Sequence, residues 1–169
     1  MTNKIKKNQG IIIFEFPILL VLFIFVIMTI NNAMVNIQVN EIRSALDAAA
    51  LAGGQVLLKK KKNISFAKDT ALRIATMHKV NGKAIPTKTL RVVVGKINPN
   101  QCNNFKPRKS PVNAIMVNYL PPTSQHRSKI WSPFGQFNLP FFQKMPEDFS
   151  SFAIITKNKA QLIDPTLCR

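Results

Sequence analysis

The chain has 169 residues, with 24 Lys and Arg against 7 Asp and Glu, for a formal net charge of +17. That length suits one modest domain plus an anchor, and so few acids argue against two-carboxylate catalysis. A charge of this size draws the chain to anionic surfaces, whether lipid headgroups, nucleic acid or acidic glycans, without choosing among them.

The first ten residues form a basic leader holding Lys4, Lys6 and Lys7 and no acid. Residues 11–30 then read IIIFEFPILLVLFIFVIMTI, apolar except for Glu15, Pro17 and Thr29. A helix of about 20 such residues spans roughly 30 Å, the thickness of the bilayer hydrocarbon. A cleaved secretory signal is the competing reading. The apolar run is longer than a usual signal core and no A-x-A site closes it, so a retained anchor is expected. The lysines before the span place the N-terminus in the cytoplasm and the remaining chain outside.

Glu15 sits inside the apolar run, five residues after Gly10. A carboxylate there is costly and is usually retained for a partner. Alternatively, it lies near the interface and reaches the headgroups. After the span, Met34, Ile37, Ile42, Ala45, Leu46, Ala49 and Ala52 recur at helical spacing, so the anchor is expected to continue as a stem helix over 31–58. Within it, SALDAAALAGG (44–54) is rich in small residues that let another helix approach closely, with Ala45, Asp47, Ala48, Ala49, Ala52 and Gly53 as candidate packing positions. Gly53-Gly54 could also kink or end the helix.

Residues 59–169 read as a basic exported domain. A second helix is expected over 64–80, with Phe66, Ala67, Ala71, Ile74, Ala75 and Met77 on one face, stopped by Asn81-Gly82. Strands follow at 89–95, 114–119 and 152–156, rich in β-branched residues and bounded by prolines. Two helices followed by strands make an α+β fold with a small antiparallel sheet. Between Pro121 and Phe149, four further prolines alternate with Trp131, Phe134, Phe137, Phe141 and Phe142. This region reads as an irregular loop that covers one sheet face or meets a partner.

The sequence offers no G-x-S-x-G, H-E-x-x-H, phosphate-binding glycine loop or zinc spacing. His78 and His126 stand apart from any carboxylate, so no enzyme activity, metal or cofactor is expected. Cys102 and Cys168 match no metal spacing, and in an oxidising compartment they could pair. The lysines are scattered as on a solvated exterior, which disfavours a nucleic-acid module without closing the question. Lys59 to Lys62 would reach acidic headgroups if the stem lay along the membrane; solvation is the plainer reading.

A basic leader, Gly10, and an apolar run with Glu at its fifth position together resemble type IV prepilins and pseudopilins. The resemblance implies a prepilin peptidase cut between Gly10 and Ile11, with the new amine neutralising Glu15 of a neighbouring subunit; Ile11 stands where pilins usually carry Phe. The order continues with Ala45-Leu46-Asp47-Ala48-Ala49-Ala50-Leu51-Ala52-Gly53, then Val92-Val93-Val94-Gly95, Phe105, Pro111-Val112-Asn113-Ala114-Ile115-Met116-Val117 and Leu139-Pro140-Phe141-Phe142. Over roughly residues 10–160 this is similar to the tight-adherence (Tad/Flp) pilus-assembly proteins of the TadE/TadG kind. Large TadG proteins add a von Willebrand-type domain, for which these residues leave no room. The resemblance implies a structural or assembly role in a bacterial surface appendage, an inner-membrane location, and other pilus subunits as partners. The rival reading is a membrane-tethered module that binds anionic polymer, DNA or polysaccharide, and would lose its hold as salt rises.

Overall fold

A computed structural model describes residues 4–59, 63–98, 101–107, 111–120, 149–156 and 159–163. The aromatic-rich region at 121–148, read as an irregular loop, the lysines at 60–62 and Cys168, one half of the candidate Cys102–Cys168 pair, lie outside the described residues. The chain is α+β: a long apolar N-terminal helix, a second helix, then a small antiparallel sheet. The first helix, α1 (Lys4–Lys59), runs unbroken for 56 residues, or about 84 Å at 1.5 Å per residue. It passes through Pro17, which has no N–H to give the carbonyl of residue 13. It also passes through Gly53 and Gly54, so these glycines neither kink nor end it.

The second helix, α2 (Ile64–Met77), begins at Asn63, whose side chain accepts a hydrogen bond from the Phe66 amide at 3.1 Å. Such a cap satisfies one of the amides left without a partner in the first turn. The helix ends at Met77, three residues short of the expected boundary. Asn81 (φ 51°) and Gly82 (φ 75°) do not stop it. They form the two-residue turn of a hairpin between β1 (Lys79–Val80) and β2 (Lys83–Ala84). Two successive positive φ values match the twist of a tight hairpin, and Asn-Gly is the pair that adopts them most readily.

A 3-10 turn at Thr87–Thr89 leads into a five-stranded antiparallel sheet in the order β4-β3-β5-β6-β7. Its strands are β3 (Leu90–Asn98), β4 (Gln101–Pro107), β5 (Ala114–Tyr119), β6 (Phe149–Ile155) and β7 (Ala160–Ile163). Three of these coincide with expected strands. The missed ones are the edge strands β4 and β7, whose sequences QCNNFKP and AQLI carry little β-branched character.

One sheet face packs on the two helices. Leu90, Val94, Ile115, Val117, Tyr119, Phe149 and Ala153 join Ile42, Leu46, Ala49 and Ala71 in one core. The opposite face carries a smaller cluster of Ile97, Ala114 and Ile154, with Phe105 and Ile163 beside it. Gly95 permits this arrangement. A Cβ there would strike the Lys106 carbonyl and lie 2.9 Å from Phe105 Cζ. Beyond the Gly95–Ala114 pair, the Asn113 side chain continues the ladder. The Ile97 amide donates to Asn113 Oδ1 at 2.8 Å, and Asn113 Nδ2 donates to the Ile97 carbonyl at 2.8 Å.

Tyr119 lies in the main core against the Phe149 ring, centroids 6.3 Å apart. Burial disfavours the phenolate and pushes its pKa up to about 12. An unfolded tyrosine ionises near pH ~10, so above that pH the unfolded state holds fewer protons than the folded one. Stability from this group is complete below about pH 10 and is lost as pH rises toward about 12. In detergent, the wild type is expected to lose more thermal stability between these pH values than Tyr119→Phe does; parallel loss would show that the phenol ionises freely in the fold.

Candidate functional site: the anchor and stem helix

The site is the helix itself, and its two halves have opposite environments. From Phe16 to Val26 every side chain is exposed, with Phe16 at 68% and Phe23 at 66%. Apolar groups at that exposure would be unfavourable in water, at about 25 cal/mol per Å². The segment is long and apolar enough to cross a membrane. Gly10 and Ile11 lie within the helical backbone of α1, and Glu15 is exposed one turn beyond them.

Beyond residue 30 a buried stripe begins. Asn31, Val35, Gln38, Ile42, Ala45 and Ala49 are all buried, at alternating spacings of four and three. Such a repeat keeps one seam of a helix facing its neighbours. Hydropathy alone points to a different face, because Met34 and Ile37 are 42% and 58% exposed. The step of five from Ile37 to Ile42 turns them away from the core, while Asn31 and Gln38 hold the seam despite being polar. The signal that finds them is their spacing from Ile42 and Ala45.

The small-residue segment packs on the chain's own elements. Ala45, Ala49 and Gly53 are buried, Ala48 and Ala52 half-buried. Ala67, Ala71 and Ala75 form the buried face of α2. At Gly53 a Cβ would lie 2.5 Å from Ile115 Cδ1, 3.1 Å from the Ala67 carbonyl oxygen and 3.1 Å from Ala71 Cβ. At Gly54 it would meet Ala160 Cβ at 3.1 Å and Ala153 Cβ at 3.3 Å. The glycines therefore set the separation of α1 from α2 and from the sheet. Asp47 is fixed as well, accepting a 2.6 Å hydrogen bond from Ser151 Oγ on β6. Glu41, nearer the exposed apolar segment, accepts from the Asn81 amide at 2.8 Å.

Among the described residues no group of His, Cys, Asp or Glu could hold a metal ion. Cys102 lies on edge strand β4. No family model matches the chain, and neither does any curated protein or solved structure.

Replacing glycine by alanine inside a helix ordinarily stabilises it by about 1 kcal/mol. Gly53→Ala is expected to do the opposite, lowering stability by about 1–3 kcal/mol through overpacking. Ile115→Val removes the Cδ1 atom in the way. In a chemical-denaturation double-mutant cycle the pair should cost less than the sum of the singles; strict additivity would mean the contact is not limiting.

Proposed function

We propose that this chain is a membrane-anchored structural or assembly component of a Tad-type (Flp) pilus or a related secretion apparatus. The observation that carries the reading is the single helix α1, apolar and exposed in its first half and embedded in a basic α+β domain in its second. An anchor continuous with its domain suits a subunit that works by position and contact. The leader lysines Lys4, Lys6 and Lys7 favour a cytoplasmic start, with the domain on the periplasmic or extracellular side of a bacterial inner membrane.

Within this reading Gly10, Ile11 and Glu15 are the processing and neutralisation residues. The exposed apolar run past them is the surface offered to lipid or to the helices of other subunits. The small residues from Ala45 to Gly53 serve the chain's own domain, so contacts with partners fall to other surfaces. No catalytic step is assigned.

Intact-mass measurement of the purified chain, with and without co-expressed prepilin peptidase, tests the reading. Processing should yield a chain beginning at Ile11, and Gly10→Val should block it. A chain retaining residues 1–10 under both conditions would remove the pseudopilin version and leave a plain anchored protein.

A further inference from the structure

The contacts of α1 give the domain a direction. Glu41 holds the β1–β2 turn at Asn81, Asp47 holds Ser151, and Gly54 lies against Ala153. Strand β6 therefore runs from the anchor end outward. Its first residue, Phe149, pairs with Tyr119, and Tyr119 pairs with Leu90. The start of β3, the end of β5 and the β1–β2 hairpin thus share the end nearest the apolar segment.

That end is basic. Lys79 and Lys83 on the hairpin, Lys88 before β3 and Arg91 at its start are all exposed. The acid at this end among the described residues is Glu41, already engaged by the Asn81 amide. Exposed Met77 and Leu120 add apolar side chains beside the cations. Cations mixed with apolar groups are the composition that settles at a bilayer interface.

The level is right too. Past the exposed run, residues 31–40 contain no Asp, Glu, Lys or Arg and cover roughly 15 Å, about the depth of one headgroup layer plus the reach of a lysine side chain. Met34 and Ile37 keep the outer side of this stretch apolar and exposed, while Asn31, Val35 and Gln38 are buried on its inner side. Lys59, by contrast, lies roughly 27 Å further along the rod, at the far end of the helix.

We propose that the anchor-proximal end of the domain, through Lys79, Lys83, Lys88 and Arg91, binds the anionic headgroups of the bilayer that α1 crosses. The proposal rests on α1 spanning that bilayer. It places the domain end-on against its own membrane, with the far end free.

Acylation by a membrane-impermeant succinimidyl ester, read by peptide mass spectrometry, tests this on the full chain in nanodiscs. Discs of phosphatidylcholine alone are compared with discs containing about 30% phosphatidylglycerol. Lys79, Lys83 and Lys88 should label at least about threefold more slowly in the anionic discs, and about 0.5 M salt should restore their rate. Lys59, Lys96 and Lys106, at the far end, should label alike in both. Retention in the discs with equal labelling of Lys79, Lys83 and Lys88 in both lipids overturns the proposal alone. Protection of Lys59 together with the others overturns the end-on arrangement. A chain that leaves the discs overturns the anchor, and the proposal with it.

Discussion

At Gly53, helix α1 comes so close to Ile115 that a side chain would collide with it, at Gly54 it packs tightly on Ala153 and Ala160, and the domain is organised around that contact. With no bulk on the helix, the aliphatic side chains of the sheet reach its backbone and the alanines of α2 close the other side. Packing of this density tolerates little change in volume. It also explains why the helix continues through two glycines, each of which would weaken an isolated helix by about 1 kcal/mol. Tertiary contact outweighs local propensity here.

Polar fasteners hold the same helix at two heights. Glu41 clamps the hairpin turn and Asp47 clamps β6. Each joins residues distant in sequence, so each fixes the register of the helix against the domain in a way that apolar packing alone does not. The Asp47–Ser151 bond is the more buried of the two, and a partly buried hydrogen bond to a charged group is worth about 1.5–3 kcal/mol. At the end of the β3–β5 ladder, Asn113 plays a backbone part, its amide standing in for the next rung.

Much of this was legible in residue order. The apolar run, the helical stem, the second helix and the central strands follow from hydropathy and β-branched content. What escaped reading was decided by contacts between remote residues. Asn81-Gly82 is as good a helix stop as it is a hairpin turn, and only the pairing of Val80 with Lys83 selects the turn. Strands β4 and β7 lie at the edges, where pairing with one neighbour suffices and composition says little. The small residues at 45–53 were legible as a packing surface, but their partner was not: a stripe of alanine and glycine fits a foreign helix and the chain's own α2 equally well. Asn31 and Gln38 are hidden from hydropathy because a polar side chain rarely announces a seam. Gly10, Ile11 and Glu15 gain a meaning from resemblance alone, since their chemistry needs a peptidase and a neighbouring subunit.

The rod that is apolar and exposed in its first half is the same rod that fills the core of the domain, with no linker between them. Tension or torque applied to the sheet therefore passes directly into the apolar segment, as through a driveshaft, without slack to absorb it. A load large enough to pull the helix out of its bed at Gly53 would dismantle the domain before it stretched any tether.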